Sequence, residues 1–216
     1  MPAETGPTSD RGRVRLHEFP ERLDSGSSVL VASAGAVTRY AVPLSVIARF
    51  AHSDDSALVV TATESATQTF GRFERYWPHT SAPALAVVDT VSREQYLTAI
   101  YDERPVVYTP GPGDLERLVL ALSEISTTEA PTDADRHLVV RSLTPLLDAT
   151  STARVARILD RIVGLRSADG CSVFGIDYTA HDRETMATMA ECVEGILWVT
   201  ETSTGDLDLE YRSTRQ

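Results

Sequence analysis

The sequence predicts an α/β fold with a mostly parallel central sheet, and three observations carry that expectation. Short continuous apolar runs recur, as in Val29–Ala32 and Ala57–Thr61, the pattern of strands covered on both faces. Segments of helical period lie between them. The clearest is Thr152–Ser167, where Val155, Ile158, Leu159, Ile162 and Val163 share one face. The chain then closes on two strands, Ile196–Glu201 and Leu207–Arg212, around Ser203-Thr204-Gly205-Asp206, which reads as an antiparallel hairpin. Alternating strands and helices followed by a hairpin give a parallel sheet with one antiparallel edge.

The elements follow in order. Residues 1–13 are rich in Pro, Thr, Ser and Gly and read as a disordered tail, leaving 14–216 as a single domain. Val14–Leu23 is an entry segment or short helix on the domain edge. Val29–Ala32 is the first strand and Tyr40–Phe50 the first helix, with Pro43 tolerated in its first turn. Ala57–Thr61 is a strand and Ala66–Tyr76 a helix. Leu85–Val88 is a strand and Arg93–Ile100 a helix that Ser92 would cap. Val106–Thr109 is a strand ended by Pro110-Gly111-Pro112-Gly113, a turn before the helix Leu115–Ile125, for which Asp114 is the N-cap residue. Ser126–Asp135 reads as a polar surface loop, Leu138–Val140 and Ser172–Ile176 as strands, and Asp182–Cys192 as a helix.

Composition narrows the function classes. The 216 residues are 42% hydrophobic and 24% charged, as in a globular protein, with a net charge of −11. That charge repels nucleic acid and anionic membrane surfaces. All 20 basic residues are arginine. An acidic, lysine-free surface fits a protein kept in solution at high salt, and a haloarchaeal source is inferred from that bias. Cys171 and Cys192 stand in no metal-ligand spacing and read as reduced, semi-buried thiols of a cytoplasmic protein. No apolar run approaches the roughly 18 residues of a membrane span.

The stretch Ser27–Arg39 is a buried-type strand, a small-residue turn and a helix start. In a phosphate-binding loop of the form Gly-x-x-x-x-Gly-Lys-[Ser/Thr], the lysine reaches the β/γ-phosphates and the hydroxyl holds Mg²⁺. Of that pattern Gly35 remains and no lysine follows; the nearest hydroxyl is Thr38, followed by Arg39. Ser33, Gly35, Thr38 and Arg39 are therefore the candidate remnant of an anion site at a helix N-terminus.

The order of landmarks resembles the RecA-like ATPases of the KaiC/RadA branch, and more closely a haloarchaeal group of degenerate KaiC-like proteins. The resemblance rests on Gly26-Ser27-Ser28-Val29-Leu30-Val31, Val59-Val60-Thr61-Ala62-Thr63-Glu64-Ser65, His137-Leu138-Val139-Val140-Arg141-Ser142-Leu143-Thr144-Pro145-Leu146-Leu147, Asp169–Asp177, Ala180–Met189 and Val193–Val199. It implies a RecA-like three-layer sandwich. It also implies that Glu64 stands where the family places the acid that polarises water, and that Arg141 stands where active relatives carry a metal-supporting Asp. With the lysine also missing, the resemblance implies a catalytically inactive pseudo-ATPase that works as a regulatory or signalling adaptor through a protein partner or homo-oligomer, with no cofactor. Two alternatives stand beside it. One is a weak ATP-binding protein or ATPase using Arg39 and Glu64; the other is a recombinase-mediator-like DNA-binding paralogue.

Other constellations carry less. Ser33 with Asp177 and His181 has the order of an α/β-hydrolase triad but only the trailing glycine of Gly-x-Ser-x-Gly. Asp177, His181 and Glu184 lack a second histidine at metal spacing. Arg154, Arg157, Arg161 and Arg166 line the polar side of the clearest helix and read as a solvated face.

Overall fold

The computed structural model describes residues 23–35, 42–76, 82–92, 104–128, 134–203 and 207–214. Residues 1–13, most of Val14–Leu23, and the expected helix Arg93–Ile100 lie outside them. Eight strands form one sheet in the order β4-β3-β2-β5-β6-β1-β7-β8. They are β1 (Ser28–Ser33), β2 (Ser56–Thr61), β3 (Ala84–Asp89), β4 (Val106–Tyr108), β5 (Arg136–Val140), β6 (Ser172–Asp177), β7 (Gly195–Glu201) and β8 (Leu207–Ser213). All the pairings are parallel except β7 with β8. The expected mostly parallel sheet with a C-terminal antiparallel pair is the architecture found.

Helices α1 (Val42–Phe50), α2 (Ala66–Tyr76), α3 (Leu115–Thr128), α4 (Thr144–Ala149), α5 (Thr152–Val163) and α6 (Arg183–Glu191) cover the two faces. One apolar cluster takes Leu30, Ala32, Leu58, Val60, Leu138, Val140, Phe174 and Ile176 from the sheet. It packs them on Leu118 and Leu122 of α3, Val155, Leu159 and Ile162 of α5, and Met189 of α6. The other takes Val29, Val31, Val59, Val87 and Val139 and packs them on Val42, Val46 and Ile47 of α1 and Phe70 and Phe73 of α2. Alternate residues of one strand thus enter opposite cores. That is why the strands read as unbroken apolar runs rather than as alternation.

Four expectations need correction. The segment Ser126–Asp135 is not all loop, because α3 runs on to Thr128. Ser126 and Thr127 donate their hydroxyls to the carbonyls of Ser123 and Glu124, at 2.8 and 2.7 Å, which folds these polar side chains back onto the last turn. The helix expected over Thr152–Ser167 stops at Val163, ahead of Gly164. Helix α4 falls after β5, where no helix was expected; Pro145 sits in its first turn, where its missing N–H costs nothing. Cys171 is fully buried rather than semi-buried, at 5% exposure.

Two strands approach so closely at one point that only glycine fits. A Cβ on Gly175 of β6 would collide with the Arg141 carbonyl just past β5. That contact holds the backbone of Arg141 against the sheet, with its N–H donating to Val60 at 3.0 Å. Among the described residues no helix is long and apolar enough to cross a membrane.

Candidate functional site

The carboxyl ends of β1, β2, β3, β5 and β6 meet along one edge of the sheet, the usual position of a ligand crevice in parallel α/β folds. Ser33 ends β1 and lies in register with Asp177, which ends β6. Val60 of β2 lies in register with Val140 of β5, so Glu64 and Arg141, just beyond those strands, come together. Parallel pairing thus joins residues 77 positions apart in the chain.

Glu64 is bound on both sides. Arg72, on the second turn of α2, donates Nε to Glu64 Oε2 at 2.8 Å and brings a second guanidinium nitrogen to Oε1 at 2.6 Å. Arg141 donates Nη1 to Glu64 Oε2 at 2.9 Å and to Thr69 Oγ1 at 2.9 Å. The Arg141 side chain is 2% exposed and that of Glu64 10%. Burial alone would raise the Glu64 carboxyl, but hydrogen bonds and charge from Arg72 and Arg141 outweigh it and hold it below its ordinary 4.5. Thr61 fixes the same turn by donating its hydroxyl to the Glu64 carbonyl at 2.6 Å.

At the end of β1, Gly35 takes φ +70°, a left-handed conformation that favours glycine. Its N–H donates to Asp177 Oδ1 at 3.2 Å. The same oxygen accepts the Thr179 N–H at 3.0 Å and the Thr179 hydroxyl at 2.6 Å. The carboxylate therefore occupies an amide of the turn in which an external anion was expected. Ser33 Oγ is buried and has no hydrogen-bond partner among the described residues. Thr38 and Arg39, the remaining members of the predicted set, lie outside the described residues.

Asp89, at the end of β3, is fully buried and organises the next corner. Oδ2 accepts the Ala66 N–H at the start of α2 at 2.7 Å and the Ser92 hydroxyl at 2.7 Å. Oδ1 accepts the N–H groups of Val91 and Ser92 at 2.8 and 2.9 Å. The carboxylate fills a helix N-terminus from within the chain.

The remaining sequence candidates go elsewhere. His181 bonds Thr144 Oγ1 at 3.1 Å rather than Ser33, so Ser33, Asp177 and His181 form no relay. Glu184 lies in the first turn of α6. Among the described residues no group of three His, Cys, Asp or Glu could hold a metal ion. Arg154 pairs with Glu116 at 3.3 Å on the surface, Arg157 and Arg161 are exposed, and Arg166 turns back onto the carbonyls of Gly26 and Ser167.

Sequence reasoning missed a cluster at the opposite end of the sheet. Asp55 precedes β2, His137 is in β5 and Cys171 precedes β6. The Cys171 N–H donates to His137 Nδ1 at 3.1 Å and Sγ lies 3.2 Å from the same nitrogen. Nδ1 is therefore an acceptor, which places the ring proton on Nε2, 3.1 Å from Asp55 Oδ2. Asp55 also accepts N–H groups from His52 at 2.6 Å and Asp135 at 3.0 Å. Burial would raise its carboxyl, yet the hydrogen bonds from His52, His137 and Asp135 hold it low. Burial pushes the Cys171 thiol up to about 12. A group so far from ionisation is no nucleophile at neutral pH. The set is a tie between three strands, although its order resembles a Cys-His-Asp relay. The local signal was weak, since the three residues are brought together only by the β2–β5–β6 order.

Comparison with known proteins follows the fold. No curated protein matches the chain. An uncharacterized protein from Pyrococcus horikoshii, solved in complex with an unknown peptide, superimposes with a TM-score of 0.60 at 11% identity, over 90% of this chain and 86% of that one. The flagellar accessory protein FlaH from Methanocaldococcus jannaschii gives 0.52 at 10% identity, over 89% and 79%. A KaiC-like protein from Pyrococcus horikoshii gives 0.50 at 10% identity, over 89% and 81%. These likenesses establish the RecA-like fold. A family model matches residues 26–197, and the chain accordingly belongs to DUF7504, a family of unknown function.

Proposed function

We propose that this protein is a RecA-like pseudo-ATPase that acts as a regulatory or signalling adaptor through protein contacts. The observation that carries the reading is the clasp on Glu64. A carboxylate held between two guanidiniums is poorly placed to polarise a water molecule, since Oε2 already accepts from both arginines and Oε1 faces Arg72. Magnesium takes oxygen ligands, whereas the residue past β5 presents the Arg141 guanidinium. Asp177 adds a negative charge at the Gly35 amide, where a triphosphate would be repelled. These described residues do not fit a Mg·ATP site, and no chemical step is assigned to them.

Action through protein contacts is supported by the retained scaffold and by the peptide bound to the Pyrococcus relative. The acidic, lysine-free composition supports a haloarchaeal, high-salt setting and argues against DNA as partner. Calorimetric titration with Mg·ATP, paired with a phosphate-release assay, tests the reading. The expected result is no binding at micromolar nucleotide and no turnover. Micromolar binding with hydrolysis that Glu64→Gln abolishes would overturn it.

A second reading has one observation in its favour. The buried Ser33 hydroxyl lacks a described partner beside a left-handed Gly35. Residual ATP or anion binding through Ser33, Gly35, Thr38 and Arg39 predicts that Ser33→Ala weakens nucleotide affinity in the same titration.

A further inference from the structure

A cleft of about 590 Å³ opens at the amino end of the strands, away from the Glu64 clasp. Its volume is that of a small-ligand site, roughly 300–1,000 Å³. Ser28, the first residue of β1, lines it together with the last turns of α5 and α6 and the segments that follow them. Two helices thus end at the cleft, and their last carbonyls make its field negative. Asp160 and Glu191 add carboxylates, and both are exposed. Their charges bear on the Cys192 thiol, which also lines the cleft, so both acids act on the same space. Glu194 is engaged, its Oε2 accepting the Ser28 N–H at 2.6 Å. The Arg166 guanidinium is drawn onto the carbonyls of Gly26, Ser167 and Ala168 rather than onto an acid.

The same place holds polar groups without partners. Arg166 Nε is buried and unbonded among the described residues. So is the hydroxyl of Ser172, a fully buried residue. Ser172 stands beside Ser28 in the β1–β6 register, on the face that carries Leu30 and Phe174, so its side chain points to the α5 side, where the cleft lies. Buried polar groups of this kind call for a partner. Val163, Ala190 and Val193 give the cleft its apolar wall. An occupant that suits all of this brings a positive charge for Asp160 and Glu191, an aliphatic stem for the apolar wall, and an acceptor oxygen for Arg166 Nε and Ser172. A polyamine has the first two and no oxygen. An arginine or lysine within a peptide has all three, with a main-chain carbonyl as the acceptor.

We propose that this cleft binds a basic residue of a partner protein, its side chain between Asp160 and Glu191 and its main-chain carbonyl toward Arg166. The proposal rests on the adaptor reading and deepens it, naming where a partner is held and by what chemistry.

Calorimetric titration of the full chain with acetyl-Gly-Arg-Gly-amide, with spermidine for comparison, tests it. The peptide is expected to bind, and more tightly than spermidine. Asp160→Asn/Glu191→Gln, at two exposed positions, should weaken binding about tenfold or more. Alkylation of Cys192 with N-ethylmaleimide, which fills the cleft, should abolish it. No binding at millimolar peptide overturns the proposal, as does an unchanged affinity in the two-site variant or after alkylation. Spermidine binding as tightly as the peptide overturns it too, because the oxygen would then count for nothing. Each of these failures is distinct from failure of the pseudo-ATPase reading, which the Mg·ATP titration decides.

Discussion

Glu64 shows how one residue's role depends on what the fold sets beside it. Replacing it with glutamine removes the carboxylate charge that faces both Arg72 and Arg141 at this turn and breaks the ion pair of the buried Arg141 guanidinium. The expected loss is about 3–5 kcal/mol in urea unfolding. Adding Arg141→Met should return part of it, since a buried ion pair replaced by apolar volume is often neutral. A second prediction concerns the thiols. Cys192 is half-buried, and burial with the nearby Asp160 and Glu191 charges raises its thiol. Cys171 is buried and pushed up to about 12. Iodoacetamide at pH 8 should therefore label Cys192 well before Cys171 in the native protein, as read by peptide mass spectrometry.

At the scale of elements, Asp89 joins β3 to α2 and to the turn at Thr90–Ser92. Asp89→Ala would strand four donors, two of them loop amides and one the first amide of α2. A loss of about 3 kcal/mol or more is expected in thermal or urea unfolding, with the largest rise in hydrogen exchange at the start of α2. The elements themselves were largely legible. The helix Ala66–Tyr76 was placed with both of its bounds, and the hairpin strands were placed to within a residue. The losses have physical causes. Helix α4 hid because its six residues are too few to show a helical period, and Thr144-Pro145 was the single sign of a helix start. The site was less legible than the fold. Glu64 and Arg141 were found through the resemblance, but the clasp between them, and Arg72 within it, depends on β2 lying next to β5, which no local period encodes.

For the whole molecule, acid sensitivity follows from the two depressed carboxyls. Glu64 and Asp55 both titrate lower in the folded chain than in the unfolded one. Their contribution is complete above the unfolded value of 4.5 for Glu64 and is lost as pH falls through the folded values. Unfolding free energy measured from pH 6 downward should hold steady until about pH 4.5 and then fall, with a smaller acid slope in Glu64→Gln. The two carboxyls sit at opposite ends of the parallel strands, so both ends loosen together.

The Arg141–Glu64 contact also bears on descent. Once a guanidinium is walled in past β5, selection keeps an acid opposite it for the sake of folding alone. A related sequence that carries arginine there is then expected to carry an acid opposite it as well, whether or not it splits a nucleotide. A glutamate beside such an arginine is accounted for by charge balance and is not by itself a mark of turnover.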